Sequence, residues 1–340
     1  DGDLDLFVGT RLISGKYTFP ASSYILINNK GKFSKASKNI APDLENLGMV
    51  TDAVFSDIDG DNDDDLLVVG EWMTVTVLEN NQGKFSDVSE KYGLDDSTRG
   101  MWWSITASDL DNDGDEDYII GNLGKNNKFK ASKEHPFKVY ANDFDNNGTN
   151  DVVLAKFYKT DYVPVRGREC TSQQMPFVAE KFKDYHSFAS SKLIDILPEE
   201  KVEDAVIYQI ENFESIILEN KNGTLIKKSL PIQAQVSPIK SSIAVDINKD
   251  GFKDIIVVGN HYGVEVETTR YDAGYGAVFL GDENMQYTLV SPSETGFYIP
   301  KDSRNIVLQK NANDEVRIFI TNNNEAISIF DKNRKKVLKP

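Results

Sequence analysis

Residues 57–70 read DIDGDNDDDLLVVG. Aspartate fills six of the first nine positions, and an apolar run follows at once. Like charges at this density repel, and aspartate is a poor strand former. Placing them directly before a buried strand calls for a compensating charge. The pattern recurs as DLDNDGDEDYIIG at 109–121, DFDNNGTNDVVL at 143–154 and DINKDGFKDIIVVG at 246–259. The opening DGDLDLFVG fits the second half of the same unit. The shared form is D-x-[DN]-x-[DN]-[GN]-x-x-D, then four or five apolar residues that usually end in Gly.

The spacing has a chemical reading. Side chains at positions 1, 3 and 5 of a tight loop converge on one point, the backbone carbonyl of position 7 adds an oxygen, and the carboxylate at position 9 closes the cage. That supplies about five to seven hard oxygen ligands, as Ca²⁺ prefers. Position 6 is Gly, or Asn62 in the first full copy, the two residues best suited to a left-handed turn. The loop is similar to the first half of an EF-hand loop, but it closes with Asp at position 9 and leads into a strand. The predicted metal positions are Asp57, Asp59, Asp61, Asp63 and Asp65; Asp109, Asp111, Asp113, Asp115 and Asp117; Asp143, Asp145, Asn147, Thr149 and Asp151; Asp246, Asn248, Asp250, Phe252 and Asp254; and Asp1, Asp3 and Asp5 of the partial copy. This gives four to five Ca²⁺ sites, each a cage strained when empty. The four full loops hold 18 carboxylates in a chain of net charge −16, so four divalent ions would offset much of that excess.

Between the loops a second signal recurs: LINNKGKF at 26–33, LENNQGKF at 78–85 and LENKNGTL at 218–225. Each reads as strand, polar turn and strand, a β-hairpin. Weaker echoes lie at 279–287 and 329–337. A unit of loop, strand, strand and hairpin then repeats every 50 to 60 residues or so, which predicts an all-β fold, a β-propeller of seven blades with six as the alternative. The whole of 1–340 reads as one such domain, N-terminally incomplete because the chain opens inside a motif. The pattern lapses after residue 156. Phe177, Val178, Phe182, Tyr185 and Phe188 fall at helical spacing, and Leu193, Ile194, Ile196 and Leu197 extend an apolar face to Pro198. A helical insertion over 157–205 is expected, between two strands of one blade.

Composition narrows the function. A net charge of −16 argues against nucleic acid or an anionic membrane surface as the main partner. No apolar run approaches the roughly 18 residues of a membrane span. The single cysteine, Cys170, can form no internal disulfide. G-x-S-x-G, H-E-x-x-H and phosphate-loop motifs are absent from the sequence, and the expectation is a protein that is not an enzyme.

The acidic loops resemble those of FG-GAP and VCBS repeats, the calcium-binding propellers that include integrin α-subunit heads. VVGEWM (68–73), RGMWWSITASDLDNDGDEDYIIGNLG (99–124), VRGRECTSQQMPF (165–177) and GNHYGVEVETTRYDAGYG (259–276) resemble a narrower group, the long secreted or lipid-anchored VCBS proteins of Bacteroidota. The resemblance implies the cell envelope and a binding or scaffold role, with a protein or surface glycan as partner. It implies no known reaction.

Ligand-binding candidates follow from position. A strand of five or so residues carries the chain from the loop to the opposite face, so the residues after the strands, Thr10, Glu71, Asn122, Lys156 and Asn260, are expected to line the opposite mouth. RGMWW adds Arg99, Trp102 and Trp103, with one tryptophan in the core and one exposed beside Arg for a sugar ring or a protein partner. VRGREC adds Arg166 and Arg168. The 259–276 stretch adds Glu265, Glu267, Arg270 and Tyr271. If 264–268 is a strand, Glu265 and Glu267 share a face and either pair with Arg166 or Arg270 or do acid–base work. The leading expectation is an extracytoplasmic, calcium-stabilised binding or scaffold module, an accessory subunit of an outer-membrane assembly. The alternatives are a polysaccharide lyase or hydrolase using Glu265 and Glu267, and an integrin-like adhesion module.

Overall fold

The computed structural model describes residues 2–310 and 316–331. Strands dominate, in six antiparallel sheets among the described residues. The first sheet holds β1 (Leu6–Val8), β2 (Tyr24–Asn29) and β3 (Lys32–Lys35). The second holds β4 (Met49–Ser56), β5 (Asp65–Met73), β6 (Thr76–Asn81) and β7 (Lys84–Asp87), with the short β8 (Gly100–Met101) added at the end of β5. The third opens with β9 (Ser104–Ser108) and β10 (Asp117–Gly121). The chain then leaves it and builds a separate sheet from β11 (Phe137–Asn142), β12 (Asp151–Tyr158), β13 (Asp161–Pro164) and β14 (Val206–Ile210), in the order β13-β12-β11-β14. It returns with β15 (Ile216–Asn220), which pairs with β10, and β16 (Leu225–Ser229). Two further sheets follow: β17 (Ile239–Val245), β18 (Asp254–Gly259), β19 (Ala277–Leu280) and β20 (Thr288–Val290); then β21 (Ser303–Lys310), β22 (Val316–Asn322) and β23 (Glu325–Asp331).

Side-chain alternation explains why the second strands of the three inner sheets, β5, β10 and β18, carry unbroken apolar runs. Leu66 and Val68 of β5 pack with Ile25 of the first sheet, while Leu67 and Val69 pack with Ile105, Tyr118 and Ile216 of the third. Ile119 of β10 faces the other way, onto Ile255, Val257 and Phe279. Ile256 and Val258 of β18 then meet Ile306 and Ile320 of the last sheet. Five sheets therefore stand face to face in one row, and the middle strands of the three inner sheets are covered on both sides. Each fully buried aliphatic side chain stabilises this row by about 1.5–3 kcal/mol.

The hairpins read from the sequence are present at β2–β3, β6–β7 and β15–β16. Their turns place Lys30-Gly31, Gln82-Gly83 and Asn222-Gly223 at positive φ, the two-residue turn whose twist matches that of the paired strands. The echo at 279–287 spans the β19–β20 connection, and residues 332–337 of the last echo lie outside the described residues.

The repeat order needs one correction. The loop at 109–117 and the hairpin at 218–225 belong to one sheet, and the loop at 143–151 belongs to the sheet inserted within it. The interruption thus runs from 122 to 215. The stretch 157–205 holds the end of β12, β13 and five short helices between 168 and 203. Asp184 caps one helix start through the Ser187 N–H, and Pro176 and Pro198 stand at two others, so the apolar spacing is broken into single turns. Val178, Phe182, Phe188, Leu193, Ile196 and Leu197 pack on Phe144, Val153 and Ala155 of the inserted sheet, whereas Tyr185 and Ile194 face solvent.

Candidate metal loops and a polar cluster at the far strand ends

The acidic loops are built by their own backbones. In each, positions 4 and 6 take positive φ: Gly60 and Asn62, Asn112 and Gly114, Asn146 and Gly148, Lys249 and Gly251. Position 6 was legible from sequence; position 4 was not singled out, although it is Gly or Asn in three of the four copies. The first carboxylate caps the curled backbone. Asp57 accepts the N–H groups of Gly60, Asp61 and Asn62, Asp143 those of Asn147 and Gly148, and Asp246 those of Lys249 and Gly251.

Three loops bring carboxylate oxygens within 4.8 Å of one another: Asp57, Asp59 and Asp61; Asp109, Asp111 and Asp117; Asp143, Asp145 and Asp151. These donors are oxygen only, anionic and flexible, which fits a hard divalent cation such as Ca²⁺ and not a zinc ion seeking nitrogen or sulfur. Asn248 replaces a carboxylate in the 246–254 loop, which forms no such group among the described residues. Asp1 of the partial copy lies outside the described residues.

The closing aspartate has a second task that the ligand reading missed. Asp65, Asp117, Asp151 and Asp254 are all buried. One oxygen of each accepts the N–H of loop position 2, from Ile58, Leu110, Phe144 and Ile247 at 2.7–3.1 Å. The other oxygen of Asp65, Asp117 and Asp254 reaches across to the N–H of Asn80 and Asn220 on the neighbouring strand and of Gly281 just past its end. Asp5 does the same for Asn28. Position 7 has a further role beside its expected carbonyl ligand: the side chains of Asp3, Asp63 and Asp115 accept from Lys30, Gln82 and Asn222 at the hairpin turns. The motif therefore fastens loop, strand and hairpin together. Burial pushes Asp65, Asp117 and Asp151 up to about 6, with nearby loop carboxylates adding to the effect. A cation beside them would favour the charged form.

At the opposite strand ends the predicted rim divides. Asn122 and Asn260 are buried brackets. Asn122 accepts from Met101 and Leu123 and donates to Glu214; Asn260 accepts from Ser237 and Gly274 and donates to Gly274 and Lys301. Thr10 is fixed to Ser23 through its N–H. Lys156 lies away from them on β12 of the inserted sheet. Glu71 is buried, ion-paired with Arg11 and in contact with the Tyr17 hydroxyl at 3.3 Å. Trp102 is core, its indole N–H on the Met73 carbonyl. Trp103 is half-buried and is flanked by Arg11, Lys240 and His261. Arg99 is occupied elsewhere, by the Trp72 carbonyl, Asp96 and the Tyr208 ring.

Of the remaining candidates, Arg166, Arg168, Glu265 and Glu267 gather beside the inserted helices, whereas Tyr271 bridges to His261. Residues 264–268 are not a strand; Thr268 turns back on Glu265 instead. Glu265 pairs with Arg166 at 2.8 Å and Lys128 at 3.8 Å, while Glu267 accepts the Gly167 N–H. Arg270 pairs with Asp272 and covers Tyr262, and Arg168 holds the Phe182 carbonyl and Glu169. The Tyr271 hydroxyl is buried without a hydrogen-bond partner among the described residues.

Sequence reasoning overlooked Arg11, Lys240, Asp302 and Arg304. The innermost strands β4, β17 and β21 each carry a register shift near their start, at Thr51, Lys240 and Arg304, and no local pattern announces it.

The first 120 residues match a known repeat. A family model described as FG-GAP-like repeat covers residues 1–68 and 57–120. The two matches overlap on the DIDGDNDDD loop and the start of β5, and the second stops at the end of β10, where the chain leaves the third sheet. No curated protein matches the chain.

Proposed function

We propose that this chain is a calcium-stabilised β-propeller that serves outside the cytoplasm as a binding or scaffold module for a protein or surface glycan, as an accessory subunit of an outer-membrane assembly. The row of face-to-face sheets reads as propeller blades, seven in the full ring with six as the alternative. The observation that carries the calcium reading is the repeated loop whose carboxylate oxygens gather within 4.8 Å at three sheets. A bound Ca²⁺ would supply positive charge to the aspartates and tie the curled loop to the strand that follows. Asp57, Asp59 and Asp61 would hold one ion, with the equivalent residues at the other loops. Asp65, Asp117 and Asp151 would serve both as ligand and as bracket. Sites of modest affinity fill where calcium is abundant, which is the extracellular space.

The test is melting temperature in millimolar calcium and after chelation, with metal content read by mass spectrometry. Each independent site at 100 times its dissociation constant adds about 2.7 kcal/mol, so chelation is expected to lower the melting temperature by many degrees. An unchanged melting temperature would refute the structural role of calcium. Capture of the full chain from native membranes in calcium tests the scaffold role, with a stoichiometric surface protein as the expected result and recovery of the chain alone counting against it. The carbohydrate-enzyme alternative gains no support from the placement of Glu265 and Glu267, each already engaged as described.

A further inference from the structure

Four buried polar atoms without a hydrogen-bond partner among the described residues belong to one neighbourhood at the strand ends opposite the acidic loops: Trp103 Nε1, Lys240 Nζ, His261 Nδ1 and Asp302 Oδ1. The Lys240 ammonium lies over the Trp103 ring. The His261 ring sits 5.3 Å from the same indole, and the Arg11 guanidinium 5.6 Å from it. Arg304 and Asp302 pair at 2.9 Å beside them. Native interiors satisfy nearly all buried polar groups, so several orphans side by side require an explanation.

The backbone shows that the arrangement is built. Lys240 and Arg304 are the residues at which β17 and β21 slip register, and Thr51 is the corresponding residue of β4. A bulge re-aims a side chain that regular alternation would point elsewhere. Trp103 enters the same neighbourhood just before β9, its N–H on the Gly121 carbonyl.

The charges do not balance. Arg11 is matched by Glu71, and Arg304 by Asp302. Lys240, only 6% exposed, has no ion-pair partner among the described residues. Burial and the neighbouring arginines hold its amine well below the ordinary lysine range. A methionine or leucine would fill this place against an indole without the desolvation cost of an unpaired amine.

We propose that this cluster is a recognition site for a single carboxylate group, with Lys240 at its floor, the Trp103 indole N–H as a neutral donor, and Arg11 and Arg304 as the two half-exposed cations at its rim. The excess is one positive charge when Lys240 is protonated, which a monoanion balances. A phosphate dianion would leave uncompensated charge next to Glu71 and Asp302. The carboxylate can come from an acidic side chain of a protein or from a uronic acid of a glycan. This gives the binding module proposed above its site and ligand class, and it rests on that reading. The calcium loops are read separately by melting temperature, so either idea can fail alone.

The experiment measures binding to the full chain in calcium by calorimetry and by the tryptophan emission. The probes are a capped Gly-Glu-Gly peptide and a uronate trisaccharide, each against its neutral counterpart, Gly-Gln-Gly or the methyl ester. At least one acid is expected to bind ten or more times tighter than its neutral form. Binding by the peptide alone points to a protein source, by the uronate alone to a glycan, and by both to recognition of the carboxylate itself. Lys240→Met is expected to abolish the discrimination while leaving the melting temperature unchanged or higher, the reverse of what a structural lysine would do. Trp103→Phe, which keeps the ring and removes the donor, is expected to weaken acid binding several-fold, and it serves if Lys240→Met does not fold. Equal binding of acid and neutral forms, no binding of either acid at about 1 mM, or discrimination that survives both variants would overturn the proposal.

Discussion

Asp117 and Asp111 sit in one loop yet do different work. Both contribute an oxygen to the carboxylate group, but Asp117 also holds the N–H groups of Leu110 and Asn220 from a buried position. Asp117→Ala strands two buried donors at about 1–3 kcal/mol each, so denaturant titration should show a loss of about 2–6 kcal/mol that persists after chelation. Asp111→Asn should lower stability only in calcium. A loss confined to calcium for both would reduce Asp117 to a ligand. His261 makes a prediction of a different kind. Burial, with Lys240, Arg304 and Arg11 nearby, lowers it to about 4 from 6.5, against the opposing pull of Asp302. A base depressed in the folded state must charge on unfolding. Stability is therefore full above about pH 6.5 and falls as the pH drops towards 4, by roughly 1–3 kcal/mol after allowing for partial exposure. Denaturant midpoints at pH 7 and pH 5 should differ less for His261→Gln than for the unaltered chain.

At the scale of the element, the glycine that closes the apolar run of a middle strand marks where two backbones touch. A Cβ on Gly70 would meet the Met49 carbonyl oxygen at 2.2 Å, and one on Gly121 the Ile239 oxygen at 2.3 Å. Both contacts fall at the start of an innermost strand, next to its bulge or facing one. Gly121→Ala should therefore push β17 away and cost about 1–3 kcal/mol as overpacking, read as a lower denaturant midpoint. A neutral result would mean that the innermost strand can yield. The glycine and the apolar run were plain in the sequence because both are local. The bulges were not, since a register shift depends on the partner strand. The five single-turn helices were partly legible: the apolar spacing was there, but prolines and an aspartate cap cut it into pieces.

The whole molecule is tied together by the insertion. Residues 122–215 leave and re-enter the third sheet between the paired strands β10 and β15, with the Asn122 N–H on the Ser215 hydroxyl at 2.9 Å. The inserted sheet shares a core with the second one, where Trp72 stacks on Phe137 at 5.5 Å and Phe137 and Phe213 pack with Met49. Calorimetry in calcium should consequently show one cooperative transition; two resolved transitions would make the insertion an independent unit. The sequence by itself determined the acidic loops, the two-sided middle strands and the hairpins, because each is settled within about ten residues by charge, alternation and turn chemistry. Only the tertiary structure decided that β10 pairs with β15 across the insertion, that the closing aspartates bracket neighbouring strands, and that Lys240, Trp103, Arg11 and Arg304 meet. Those outcomes depend on which distant segments share a sheet or meet at the strand ends, and a local pattern carries no information about that.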